Sequence, residues 1–226
     1  MKTIVIGATG GIGSALAAAV EGRGESVTRL SRRSDPPLDL ADEASITGVA
    51  AALRDHAPFD RLLIASGLLH DKTLQPERSI AAANGAAFER YFQINATGPA
   101  LVIRHFVPLM ARDASATIAA LSARVGSIGD NRLGGWVGYR ASKAALNQII
   151  RTFAIELART HPQLTLVGLH PGTVDTGLSA PFQRAVPEGQ LSTAADSAAR
   201  LLTVLDALTP EDSGGCFDWA GQRIIP

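Results

Sequence analysis

The sequence is short of several things, and each shortage narrows what the chain can be. Of its 226 residues only Cys216 is a cysteine. No internal disulfide can therefore form, and a zinc site built on thiolates has no second sulfur. Neither sign of charge is in excess, with 21 Lys and Arg against 21 Asp and Glu, so no global basic field draws the chain to nucleic acid or to an anionic membrane. No apolar run reaches the roughly 20 residues of a membrane-spanning helix. The apolar start, Met1-Lys2-Thr3-Ile4-Val5-Ile6, passes straight into Gly7 without a cleavage site, and reads as a first buried strand. Repeats and low-complexity tracts are missing too. What is present, 46% hydrophobic and 19% charged residues, suits one soluble, cytoplasmic globular domain over residues 1–226.

Apolar strand-like runs at 3–6, 27–30, 61–65, 116–121 and 164–169 alternate with helical patterns at 12–21, 43–56, 88–110, 142–160 and 194–208. Runs without polar alternation indicate strands covered on both faces. Their alternation with helices indicates right-handed crossovers and a doubly wound parallel α/β sheet of about six to seven strands, a Rossmann fold. One crossover is abnormal. Only residues 31–37, including Pro36-Pro37, separate Leu30 from Leu38, and a parallel crossover needs about a dozen residues. The third strand is expected as a stub at 38–40.

Gly7-Ala8-Thr9-Gly10-Gly11-Ile12-Gly13 follows the first strand and opens the first helix. In that context Gly7, Gly11 and Gly13 permit a tight turn and a close approach of backbone to a pyrophosphate, with Thr9 and Ile12 in the same turn. The helix N-terminus supplies open N–H groups and a positive dipole end. The second strand ends in Ser31-Arg32-Arg33. Ser31 stands where an acid would accept from the ribose 2′-OH of NAD, and the two guanidinium groups suit the 2′-phosphate of NADP.

Tyr139 and Lys143 are four residues apart on one helix, hence on one face. A phenol titrates near 10 and is a poor base at pH 7. A neighbouring cation favours its phenolate, and oxidised nicotinamide adds a second positive charge, so the pair is read as proton machinery that gives a proton to a substrate oxygen in reduction or takes one in oxidation.

Together these motifs resemble the short-chain dehydrogenase/reductase family. The 126–138 loop followed by Tyr139-Arg140-Ala141-Ser142-Lys143 looks most like its C-factor/sniffer carbonyl reductases. The family pattern usually has Thr before the first glycine, where this chain has Ile6. The resemblance spans the chain, to a final strand within residues 214–221. It implies that Asp39, with Leu40 beside it, meets the adenine, that Ser66 and Gly67 offer backbone support, and that Pro171, Gly172, Val174 and Thr176 lie against the nicotinamide amide and pyrophosphate. It also implies that Lys143 holds the nicotinamide ribose and that Asn95 interrupts its helix and holds a water relaying protons to Lys143. A serine after the fifth strand binds the substrate oxygen in the family. Here Ser122 ends that strand, Ala123 follows, and Ser127 lies further on. Ser122 is favoured because ligands bind at the C-terminal edge of such sheets, with Ser127 kept as second candidate.

Residues 177–191, with Phe182, and residues 133–137, with Trp136, are expected to wall a site for a small, fairly hydrophobic carbonyl or alcohol. The leading expectation is hydride exchange between NADP(H), with NAD(H) second, and such a substrate, Tyr139 moving the proton. The rival is an NADP(H)-sensing regulatory module with little turnover. A third reading, an epimerase or dehydratase on the same scaffold, is disfavoured because those enzymes often carry a larger C-terminal region. A homodimer or homotetramer through the 88–110 and 142–160 helices is implied by the resemblance alone.

Overall fold

The computed structural model describes residues 1–187 and 189–226. β1 (Lys2–Ile6) leads through the glycine turn into α1 (Gly11–Gly22), and β2 (Ser26–Leu30) is followed by α2 (Glu43–Ala52). β3 (Arg61–Ile64) precedes α3 (Gly85–Phe92) and α4 (Gly98–Phe106). β4 (Ala116–Leu121) precedes α5 (Val137–Leu157), and β5 (Leu164–His170) precedes the two-residue strands β6 (Thr173–Val174) and β7 (Leu191–Ser192). α6 (Ala194–Ala207) and β8 (Cys216–Asp218) complete the chain. Six strands pair in parallel in the order β2-β1-β3-β4-β5-β8, and β6 pairs separately with β7.

Successive strand residues face opposite sides, which divides the core in two. Ile4, Ile6, Leu62, Ile64, Ile118 and Leu166 pack on one side under α2, α4 and α5. Val5, Leu63, Ala119, Val167 and Leu169 pack on the other under α1 and α6. The chain leaves β1 toward β2 on one flank and returns to β3 on the other. Strand order therefore reverses at the C-terminal ends of β1 and β3, where open α/β sheets hold their ligands.

Three expectations need correction. No strand forms at 38–40: Leu38 and Leu40 are buried, and the Leu38 N–H donates to the Ser31 carbonyl at 2.9 Å, but the segment takes no place in a ladder. The short connection satisfies its backbone within itself, so the sheet has six strands. The helical stretch expected over 88–110 starts earlier, at Gly85, and it is interrupted at Gln93–Thr97, where the turns widen to π geometry around Asn95 as the resemblance implies. Finally, α5 begins at Val137, five residues before the expected start at Ser142, so Tyr139 lies in its first turn.

Candidate active site

The glycine turn is built around contacts that no side chain could share. Gly7 sits at φ +83°, in the left-handed region, and its carbonyl accepts from the Gly10 N–H at 2.9 Å. A Cβ on Gly13 would lie 2.2 Å from that same carbonyl oxygen, and one on Gly11 would lie 2.5 Å from the Thr176 methyl. α1 starts without a side-chain cap and without an acid in its first turn. Its first N–H groups are therefore left for an anionic ligand. The residues present fit the pyrophosphate of a dinucleotide.

Facing this turn is a cavity of about 500 Å³, bordered by Gly11, Ile12, Ser66, Gly67, Ser122, Tyr139, Lys143, Pro171, Gly172, Val174 and Thr176. These expected site residues, scattered over some 165 positions of sequence, meet at one place above the strand ends. Gly7 and Gly13 form the turn behind it. Thr9 is exposed on the same turn. Ser31, Arg32, Arg33, Asp39 and Leu40 stand apart from the cavity, beyond the end of β2. Arg32 and Arg33 are exposed, and the Ser31 hydroxyl accepts from the Arg33 N–H at 3.0 Å. Asp39 accepts from the Ala41 N–H, and Leu40 is packed in the core.

Tyr139 is 8% exposed and Lys143 3%. The Lys143 Nζ donates to the Leu121 carbonyl at 2.7 Å and lies 6.0 Å from the centre of the Tyr139 ring. Burial pushes the Tyr139 phenol up to about 12 and the Lys143 ammonium down to about 8. Desolvation sets the direction at both groups here, and the ammonium is turned to a strand carbonyl. Asn95 is fully buried and its side chain is fully used. Oδ1 accepts from the Leu68 N–H at 2.7 Å, while Nδ2 donates to the Leu68 carbonyl at 2.8 Å and to the Ser142 hydroxyl at 3.1 Å. It pins the loop after β3 to α5, one residue from Lys143.

Ser122 borders the cavity, and its hydroxyl donates to Asn147 Oδ1 at 2.6 Å. Ser127 is buried in the following loop, where it accepts from the Asp130 N–H at 3.0 Å, and it does not reach the cavity wall. Ala123, which carries no hydroxyl, also lines the wall. Asn147 escaped the sequence reading, although it continues the Tyr139, Lys143 spacing by another four residues. His170 escaped as well: its ring borders the cavity, and burial, with the Arg124 guanidinium nearby, holds it down at about 4.

The remaining walls are apolar. Phe182 meets Trp136 edge-on at 5.0 Å and His70 at 5.6 Å, and Trp136 meets Tyr139 at 6.3 Å. Of the expected wall at 133–137 only Trp136 contributes, because Leu133 is 92% exposed and Val137 42%. Trp136 itself adopts φ 54°, a conformation costly for a non-glycine residue. Of the expected covering segment at 177–191, Glu188 lies outside the described residues.

A family model described as short chain dehydrogenase matches residues 2–186. The chain belongs to the short chain dehydrogenase family. Its relatives include the C-signal protein of Myxococcus xanthus, 37% identical over 62% of this chain and 78% of that protein. Another is 1-hydroxy-2-glutathionyl-2-methyl-3-butene dehydrogenase of Rhodococcus sp. (strain AD45), 30% identical over 95% of each chain. Among solved structures, a Burkholderia multivorans protein described as a short-chain dehydrogenase/reductase, with bound NADP, is similar with a TM-score of 0.83 and 28% identity. That match covers all of this chain and 99% of the other. The family assignment makes this short chain dehydrogenase an oxidoreductase by descent.

Proposed function

We propose that this short chain dehydrogenase exchanges hydride between NADP(H) and a small apolar carbonyl compound or the corresponding alcohol. The observation that carries the reading is the opening of buried Tyr139 and Lys143 onto the same cavity that the Gly7–Gly13 turn borders. When bound there, the nicotinamide supplies the hydride.

In reduction, Tyr139 gives its proton to the oxygen of the substrate. Its phenol, pushed up by burial, is protonated at neutral pH and so carries the proton to be given. Lys143, anchored on Leu121 and packed against Gly67, is placed to hold the cofactor's ribose and to return a proton to Tyr139. Asn95 keeps this geometry by tying Leu68 to Ser142. The relay role implied for Asn95 is part of the same proposal, with its side chain acting as anchor. Trp136, Phe182 and Leu69 exclude water and favour an apolar substrate. Arg32 and Arg33, exposed beyond Ser31, support preference for the 2′-phosphate of NADP(H), and the NADP bound to the Burkholderia relative agrees with it.

One observation favours the second reading, an NADP(H)-sensing module. The hydroxyl of Ser122 is engaged by Asn147 and Ala123 has none, so neither offers the substrate oxygen a ready donor.

The two readings separate when 340 nm absorbance is followed with NADPH or NADH against a panel of aldehydes, ketones and diketones. Carbonyl-dependent loss of NADPH, faster than that of NADH, is the expected outcome. NADPH binding without turnover on any member would instead favour the sensor.

A further inference from the structure

β4, β5 and β8 run parallel and in register, with Leu121 beside Leu169 and His170 beside Asp218. One step beyond Leu121, Ser122 falls level with His170. The three side chains Ser122, His170 and Asp218 therefore form a row along the C-terminal edge of the sheet, on the side that faces α5. Both outer members of this row are satisfied. Ser122 donates to Asn147 at 2.6 Å. Asp218 Oδ1 accepts the N–H groups of Ala220 and Gln222, and its Oδ2 accepts from Arg124 at 2.8 Å.

His170, between them, is not satisfied. Its Nδ1 is buried with no hydrogen-bond partner among the described residues. His170 borders the cavity that Tyr139 also borders, and of its two ring nitrogens only Nδ1 is both buried and without a partner. A ring flip exchanges the two nitrogens but still leaves one inside and one toward the cavity. Burial and the Arg124 guanidinium keep the ring neutral at physiological pH, so one nitrogen carries a proton to donate. A buried polar atom without a partner calls for an explanation, and a catalytic role for its ring is one.

We infer that His170 is a further catalytic residue, whose cavity-facing N–H donates a hydrogen bond to the substrate oxygen. The carbonyl oxygen has two lone pairs. Tyr139 transfers its proton to one, and His170 polarises the other while keeping its own proton. The site then does not need the hydroxyl that Ala123 lacks and Asn147 holds on Ser122. This assignment rests on the reductase reading above.

The test compares the parent with His170→Ala, His170→Asn and Ser122→Ala, using NADPH and 4-nitrobenzaldehyde. His170→Ala is expected to lower kcat by a factor on the order of 10²–10³, the usual loss for one oxyanion donor. NADPH affinity, read by fluorescence titration, should be unchanged. His170→Asn, which retains an N–H donor, should recover part of the rate, and Ser122→Ala should cost markedly less than His170→Ala. In the parent, the ¹⁵N resonance of the accessible His170 nitrogen should move when 4-nitrobenzyl alcohol is added to the NADP⁺ complex. A parent that reduces the aldehyde together with a His170→Ala variant of equal kcat overturns the inference alone. A greater loss in Ser122→Ala than in His170→Ala overturns it too. A parent that oxidises no NADPH with 4-nitrobenzaldehyde or with any aldehyde, ketone or diketone of the panel defeats the reductase reading, and this inference falls with it.

Discussion

The Glu77 carboxylate accepts a hydrogen bond from the backbone N–H of Gly138 at 3.2 Å, and so caps from a distant loop the helix that carries Tyr139. α5 has no cap of its own, because Trp136 at its N-cap position offers no acceptor. Glu77 is 3% exposed, and its backbone carbonyl also accepts from the Trp136 N–H. Removing the carboxylate leaves a buried donor unpaired, so Glu77→Ala should destabilise the fold by about 1–3 kcal/mol. Gly138→Ala should cost a similar amount, about 1–3 kcal/mol by overpacking, since its Cβ would lie 2.6 Å from Glu77 Oε1 and 2.7 Å from the Tyr91 ring. Denaturant unfolding measures both. Two variants with the midpoint of the parent would show that the cap is idle.

The glycines of the nucleotide turn should fail in different ways. At Gly13 a methyl group meets the rigid backbone of Gly7, so Gly13→Ala should disrupt the turn and lower thermal stability. At Gly11 it meets the Thr176 side chain, the methyl at 2.5 Å and Cβ at 3.0 Å, rather than the backbone of the turn itself. Gly11→Ala should therefore fold normally and bind NADPH more weakly, as fluorescence titration would report. Equal folding and binding losses in the two variants would argue against this distinction.

Arg32 and Arg33 should distinguish the two cofactors. A hydrogen bond to a charged group contributes about 1.5–3 kcal/mol, so Arg32→Ala with Arg33→Ala should weaken NADPH by roughly 10-fold or more per guanidinium engaged. NADH, which has no 2′-phosphate, should bind as before. Equal weakening of both cofactors would reduce the pair to general attraction.

Acid should destabilise the fold through His170. The ring titrates near 6.5 when unfolded and near 4 when folded, so the unfolded chain binds the extra proton between those values. The stability contributed is present above about pH 6.5 and is lost as pH falls toward 4. At most about 3.4 kcal/mol is at stake, at 1.36 kcal/mol for each pH unit. His170→Leu should flatten that part of the stability–pH curve. An unchanged slope in the variant would assign the acid loss to other groups.

Much of this site was legible because its parts are local. The turn from Gly7 to Gly13 requires its shape from neighbouring residues, and Tyr139 and Lys143 share a face through helix geometry alone. The break at Asn95 could be read only through the family resemblance, since the apolar pattern runs on through it. The false strand at 38–40 arose because two buried leucines look like a strand, whereas the Leu38 N–H had already found the Ser31 carbonyl. His170, Asn147 and Glu77 were hidden for another reason. Strand register sets His170 beside Ser122, and the packing of α5 brings Asn147 to Ser122 and Glu77 to Gly138 over separations of 25 and 61 residues.

Tyr139→Phe tests the central claim most directly, because it removes one oxygen and keeps the ring between Tyr91 and Trp136. The measurement pairs NADPH titration with carbonyl-dependent loss of 340 nm absorbance. NADPH affinity should equal that of the parent, and turnover should fall by a factor on the order of 10²–10⁴, the usual worth of a positioned proton donor. A variant that reduces carbonyl compounds as fast as the parent would contradict it.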